Sequence, residues 1–525
     1  MPDPIVYLKP NAIAEPLINQ WYAWSYLIPP ATAACYITQS HLKVMESFIQ
    51  APQVHVTALK DPAMRGGPFI DYDGSKVGAI KALYDRTVEE QVHLLDIYQA
   101  IRELDAMLEN ASGDSLEPLY NHIPAPLKGY VELVYDRHHC PSFRLLEGLL
   151  YRSHYYQTDS QAIAFYLCNE DDRAFVLSTP RLDTIDSLQI SLPFADFRWD
   201  ELFRMRQQGR SLSQIQDLFQ SVISANKTDI WSDLFTTTPP PKCQHYSGDD
   251  IRIRYLGHAC ILIETRNVSI LCDPIISYHH QTSHIPRYSF SDLPETIDFV
   301  LITHNHQDHI MFESLLQLRH KVKTIVVPSS NKGSLIDPSL KLILKTIGFT
   351  NVREIDELES IAIPQGEVVS LPVLGEHGDL NIGAKNAYLV RIENRSILCA
   401  ADSNNIDPAL YDNLHDIFSD LDILFIGMEC EGAPFTWAYE ALLAQSLNRR
   451  VAATRRLDGS NAKRAIELVN QLHPQQVYVY AMGQEPWLNF ITSIVYTDES
   501  IPILESNKLV QYCQQFGITS ERLFG

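Results

Sequence analysis

Positive charge is scarce in this sequence: 42 lysines and arginines stand against 64 aspartates and glutamates, a formal net charge of −22. Proteins that bind nucleic acid draw much of their affinity from basic side chains on phosphates, so a nucleic-acid partner is disfavoured. No apolar run approaches the length needed to span a bilayer, and no membrane partner is expected. The opening "MPDPIVYLKP" has neither a basic stretch nor an unbroken apolar core, so no secretory signal is expected. The nine cysteines are scattered, odd in number and without a C-x-x-C clip, and read as reduced thiols of a cytoplasmic protein. No flavin or nicotinamide motif and no repeat of fixed period is present.

What is there is an ordinary globular composition, 45% hydrophobic and 20% charged, in a chain of 525 residues. That is too long for one hydrophobic core, so two domains are expected. The segment "FTTTPPPKCQHYSGDD", 235–250, interrupts every periodic pattern and is the best linker, dividing the chain into 1–245 and 246–525. Before it the pattern is mixed and helix-rich. "GAIKALYDRTVEEQVHLLDIYQAIRELDAMLEN", 78–110, keeps apolar residues at helical spacing, and His93 within it reads as a surface or core residue. After the linker, "IRIRYLGHACILIET", "VSILCDPIIS", "VKTIVVP", "NAYLVRI" and "DILFIGME" alternate with helical stretches. That alternation predicts an α/β layered domain around a buried sheet.

The chemistry is concentrated in "THNHQDHI", 303–310, directly after the apolar run "IDFVLI". His304, His306 and Asp308 follow one another at a spacing of two, which puts them on one side of an extended segment, and His309 turns in behind them. Four ligands within six residues can reach two metal ions a few ångströms apart. One local exception to the acidic balance, "RRVAATRRLDGSNAKR" at 449–464, has six basic residues and one acid. It is either a solvated surface or a docking patch for an anionic partner, with Ser460 standing where a cap for the following helix "NAKRAIELVNQLH" would be.

"THNHQDH" resembles the H-x-H-x-D-H signature of the metallo-β-lactamase fold, and "YLGHACILIE", "LCDPII" and "LCAADS" resemble its first hairpin and its later metal-bearing strand end. The resemblance, over roughly 250–500, implies an αββα sandwich with a dinuclear site at one edge. Asp402 then corresponds to the bridging aspartate. Asp273 and His258 correspond to scaffold, with Asp273 orienting the ligand loop. Hydrolases of this fold place another histidine between the motif and the bridging aspartate. Here that region reads "LPVLGEHGDLNIG" and offers Glu376 and His377. Adjacent strand residues point to opposite sides, so only one of the two faces the metals. The hydrolases' final histidine is absent, and Glu429 of "FIGMECEGAP" occupies its vicinity. A set of three histidines and three carboxylates favours harder ions and oxygen chemistry on iron over zinc hydrolysis, without excluding zinc.

Glu376 in place of the middle histidine, "GMECEGAP", and the N-terminal stretch "YLKPNAIAEPLINQWYAWSYLIPPATAACYIT" together resemble the di-iron aminoacyl β-hydroxylases of chloramphenicol biosynthesis. The resemblance spans nearly the whole chain. It implies that His304, His306 and Glu376 hold one iron ion, that Asp308 and His309 hold the other, and that Asp402 bridges them. It further implies an O2-dependent monooxygenase that β-hydroxylates an amino acid tethered as a thioester to a carrier domain of a nonribosomal peptide synthetase. Electrons would come from an external reductase or ferredoxin, and the N-terminal domain would form a homodimer and partly cover the site. Glu429 is the candidate for gating an open position or relaying protons. The competing expectation is a dinuclear zinc hydrolase of a thioester, lactone or amide.

Overall fold

The computed structural model describes residues 3–61, 64–241, 243–414 and 421–525. In the C-terminal half, β-branched runs punctuated by short turns form two sheets. The first has six strands in sequence order: Arg252–Gly257, Cys260–Glu264, Ser269–Cys272, Ile297–Leu301, Val322–Pro328 and Val352–Ile355. The second has seven: Ser360–Ile363, Gly366–Leu371, Ala387–Ile392, Arg395–Cys399, Ile423–Gly427, Gln476–Tyr480 and Thr519–Arg522. Each begins antiparallel and continues parallel.

Alternation sorts the strand residues onto two faces. Ile261, Ile263, Ile270, Leu301 and Val326 of the first sheet meet Val368, Val390, Ile397 and Phe425 of the second in a core between the sheets. Helices Ala462–Leu472 and Ile501–Gln515 cover the outer face of the second sheet. Helices Phe312–Leu318 and Leu340–Thr346 cover that of the first. The result is an αββα sandwich.

The N-terminal half carries a four-stranded antiparallel sheet in the order Trp21–Tyr22, Ala12–Ile18, Gln161–Leu167, Leu188–Ser191, with helices packed around it. Its core is continuous with the outer layer of the sandwich: Phe165, Trp199 and Phe203 belong to the same buried cluster as Leu262 and Leu315. A buried charge network crosses the junction. Glu15 binds the guanidinium groups of Arg173 and Arg181, and Arg173 also lies 2.9 Å from Glu313, which accepts hydrogen bonds from Tyr22 and Tyr278. Glu313 sits in the first turn of the helix that follows the histidine-rich loop.

Two stretches take a more detailed form than the sequence shows. The helical stretch 78–110 is two helices, Val77–Glu90 and Val92–Glu109, broken at Gln91, where ψ is 23°. The first packs on Leu42–Gln50 and the second on Pro30–Tyr36, so one continuous periodicity serves two different contacts. The segment 235–250 starts as a strand, Phe235–Thr236, paired with Tyr7 and Leu8.

Candidate metal centre

The parallel strands Ser269–Cys272 and Ile297–Leu301 end side by side, Cys272 opposite Leu301. The chain leaving the second strand is the histidine-rich loop, and the residue leaving the first is Asp273. Its carboxylate accepts from the Thr303 amide at 2.8 Å, from the Thr303 hydroxyl at 2.6 Å and from His309 Nδ1 at 2.8 Å. Asp273 thus orients the loop through its backbone and one of its rings. From the facing sheet, the turn after strand Arg395–Cys399 brings in Asp402.

The loop, Asp402 and Glu376 converge. His304, His306 and Glu376 can each offer an atom within 4.8 Å of the others, and the same holds for His304, His309 and Asp402. His309 Nε2 lies 3.1 Å from Asp402 Oδ2, and His304 Nε2 lies 3.5 Å from Glu376 Oε1. Each histidine turns one nitrogen inward and has the other held from outside. Nδ1 of His304 is 3.0 Å from the Thr303 hydroxyl, Nδ1 of His309 bonds Asp273, and Nε2 of His306 is 2.7 Å from the Tyr439 hydroxyl. Metal-binding histidines are oriented in this way. Asp308 groups in the same way with His309 and His258, so all six residues expected as ligands lie at one place.

Of Glu376 and His377, Glu376 alone faces the inner nitrogen of His306, but not for the reason of strand alternation. Strand Gly366–Leu371 stops before Pro372, whose nitrogen has no hydrogen for the ladder. The chain then bends through left-handed backbone at Gly375 (φ 88°) and Glu376 (φ 76°). Freed from alternation, both side chains enter the same buried space. The Glu376 carboxylate contacts His306 Nδ1 directly, whereas His377 Nδ1 lies 3.2 Å from His306 Nε2, on the outer side of that ring.

The donor set fits metal ions. Nε2 of His304 and Oδ1 of Asp402 are buried without a hydrogen-bond partner, an arrangement that costs about 1–3 kcal/mol for each group left unpaired. Burial, followed by the neighbouring imidazoles, holds His304 well below the ordinary histidine range, so its lone pair is free to be given. Burial opposes ionisation of Asp308, but His258 and His309 together hold its carboxyl below the usual range. Three carboxylates offset three of the four positive charges of two divalent ions.

Glu429 lies just past strand Ile423–Gly427. Its Oε1 accepts from the Glu431 amide at 3.1 Å, while Oε2 is buried without a partner. Burial pushes its carboxyl up to about 8, and the nearby Asp402 adds to the rise. His258, expected as scaffold, stands against Asp308, with Nε2 3.3 Å from Oδ2. Its Nδ1 accepts from the Gly483 amide at 3.1 Å, which leaves the ring hydrogen on Nε2, facing the carboxylate. His258 thus falls in the group with Asp308 and His309, but with the hydrogen on Nε2 that nitrogen has no lone pair for a metal.

Residues 449–464 do not form one free basic face. Arg455 Nε donates to the Gly378 carbonyl at 2.8 Å and its guanidinium lies over the Phe435 ring, so it clasps the Glu376 loop. Arg464 donates to Asn404 at 3.0 Å. The cap of helix Ala462–Leu472 is Asn461, which accepts from the Arg464 amide, and not Ser460, which is wholly buried. Asn461 wins because the helix begins one residue later than the apolar pattern suggests.

Residues 7–239 match the family described as the di-iron non-haem β-hydroxylase N-terminal domain, and residues 252–447 match the β-lactamase superfamily domain. Over 524 residues, 98% of either chain, this one is 39% identical to the 4-amino-L-phenylalanyl-CmlP-peptidyl-carrier-protein 3-hydroxylase of Streptomyces venezuelae. The chain belongs to the di-iron β-hydroxylase family. The crystal structure of CmlA, a di-iron β-hydroxylase from the same organism, superposes with a TM-score of 0.93 at 38% identity, covering 99% of this chain and 98% of that one. A glutamate-to-aspartate variant of CmlA superposes with a TM-score of 0.91 over the same shares. Membership makes this a non-haem di-iron enzyme, and the expected architecture, a helix-rich N-terminal domain before a metallo-β-lactamase sandwich, holds. Among the described residues no helix is long and apolar enough to cross a membrane.

Sequence reasoning missed Tyr439. Nothing in "FTWAYE" distinguishes it from an ordinary buried helix face.

Proposed function

We propose that this enzyme β-hydroxylates an amino acid held as a thioester on a peptidyl carrier domain. One iron would be held by His304, His306 and Glu376, the other by Asp308 and His309, with Asp402 between them. Iron bound there would supply the oxidising power to convert a C–H bond to C–OH with O2. The protein residues do the rest. Asp273, Thr303 and Tyr439 keep the imidazoles aimed, His258 steadies Asp308, and Glu429 brings a protonated carboxyl with one free oxygen to the site's edge, where it serves as proton donor or gate. No flavin or nicotinamide motif is present, so the electrons come from an external reductase or ferredoxin. The nine unpaired cysteines suit a reducing cytoplasm. We propose as well a homodimer formed by the N-terminal domain, 1–245, with catalysis in 246–525.

The observation that carries this reading is likeness along the entire chain, both halves included, to a hydroxylase named for a carrier-bound aminoacyl substrate. To test it, apoprotein is reconstituted anaerobically with Fe(II), reduced, mixed with aminoacyl-loaded carrier and exposed to O2. The expected result is a carrier product heavier by one oxygen atom, dependent on iron and on O2. Release of the amino acid from the carrier, supported by zinc and indifferent to O2, would establish the hydrolase instead.

A further inference from the structure

Tyr439 closes a ring of polar groups that joins one candidate ligand to another. His306 Nε2 lies 2.7 Å from the Tyr439 hydroxyl, that hydroxyl lies 3.1 Å from His377 Nδ1, and His377 Nε2 lies 3.1 Å from Glu376 Oε2. Glu376 Oε1 completes the ring against His306 Nδ1. All four residues are buried. The hydrogens of such a ring can run in either of two directions. If His306 gives its Nδ1 lone pair to a metal, its hydrogen is on Nε2 and is donated to Tyr439. The phenol then donates to His377 Nδ1, which leaves the His377 hydrogen on Nε2, 3.1 Å from Glu376 Oε2 but without a hydrogen bond to it. The opposite direction puts the His306 hydrogen on Nδ1, pointed at Glu376, with no lone pair left to give.

The N-terminal domain grips this ring. The Tyr439 ring meets that of Tyr26 edge-on, centroids 5.9 Å apart, and the Tyr36 hydroxyl donates to the Ala438 carbonyl. Tyr26 is itself anchored to the Ile336 carbonyl at 2.9 Å, and Trp24 packs on both tyrosines at 5.0 Å. We propose that Tyr439 and His377 are positioning residues that fix the ring of His306 and the carboxylate of Glu376, and that the N-terminal aromatics Trp24, Tyr26 and Tyr36 hold them in place. The N-terminal domain is then part of the metal-binding apparatus. This rests on reading His306 and Glu376 as ligands.

The test measures iron bound per chain against free Fe(II) in anaerobic dialysis, the Mössbauer signals of the loaded protein, and the melting temperature of the apoprotein. Tyr439→Phe removes only the hydroxyl. It is expected to weaken one of the two iron positions by roughly 10–100-fold and to shift one of the two Mössbauer signals, with the apoprotein melting as wild type. His377→Ala is expected to do the same, and the double variant to bind no more weakly than the worse single one, because both break one chain. Tyr26→Leu, remote from the metals, is expected to weaken the same position less. Wild-type iron affinity and unchanged signals in both Tyr439→Phe and His377→Ala would overturn the proposal, as would additive losses in the double variant. If Tyr439→Phe does not fold, His377→Ala decides alone. Glu376→Ala and His306→Ala test the underlying reading separately: if both keep two irons, the ligand assignment fails whatever Tyr439 does.

Discussion

Several residues at this centre are held in backbone that L-amino acids avoid. Asp273, His258, Glu376 and Ala401 all have φ between 37° and 76°. Such conformations persist only where surrounding contacts over-determine them, at about 1–3 kcal/mol each. Glu429 shows the same tension in electrostatic form. Its buried carboxyl is pushed from an ordinary 4.5 up to about 8. Between those values the folded chain keeps a proton that the unfolded chain has released. The unfolded state therefore binds fewer protons, and stability falls as pH rises across that window. In the metal-free protein, Glu429→Gln is expected to flatten the dependence of melting temperature on pH there and to melt above wild type near its upper end. Parallel curves for the two proteins would contradict a buried neutral carboxyl.

At the scale of elements, the strands end where the chemistry begins, and the turns beyond them are pinned by polar contacts. The loop at 373–379 is held by the Asn404 amide on Leu374 at 2.9 Å, by Lys385 on Gly375 at 3.3 Å and by Arg455 on Gly378. Strand Ile423–Gly427 approaches the Asp402 turn so closely that its last residue has no room for a side chain. A Cβ at Gly427 would meet Asp402 Oδ1 at 2.6 Å and the Ala401 carbonyl at 2.8 Å. Gly427→Ala is expected to cost about 1–3 kcal/mol in urea unfolding, through overpacking, and to lower iron content by displacing Asp402. Full iron loading in a variant destabilised to that extent would show that Asp402 does not depend on this approach.

The whole molecule is organised around a junction that is both apolar and charged. Arg173 stands between two carboxylates, Glu15 of the N-terminal sheet and Glu313 of the helix after the metal loop, with both sides nearly sealed from water. Burial works against Glu15 ionising, yet Arg181 and Arg173 bring its carboxyl down to about 2. Removing one partner of a buried ion pair leaves an uncompensated charge and costs about 3–5 kcal/mol. Arg173→Met is expected to show a loss of that size in urea unfolding, and Glu15→Gln added to it should restore part of the stability. Two independent additive losses would mean that the pair is not coupled across the junction.

The sequence alone determined whatever is local or periodic. His304, His306, Asp308 and His309 lie within six residues, so their convergence needed only the end of a strand, and strand alternation was enough to announce a layered sandwich. The carboxylate-rich set and Glu376 pointed to iron, and the resemblance to di-iron β-hydroxylases followed from short stretches that could be quoted. Only the tertiary structure decided how Glu376 and His377 divide between the inner and outer nitrogens of His306, because Pro372 ends the strand and left-handed backbone replaces alternation there. It alone seated His258 against Asp308 with its hydrogen turned to the carboxylate, moved the helix cap to Asn461, and tied Arg455 to the Glu376 loop. It alone brought Tyr439 onto His306, from 133 residues away in the chain. Spacing carries information about neighbours along one strand or helix. The outer partners of these ligands are set by the packing of two sheets and a second domain, and no local pattern encodes that.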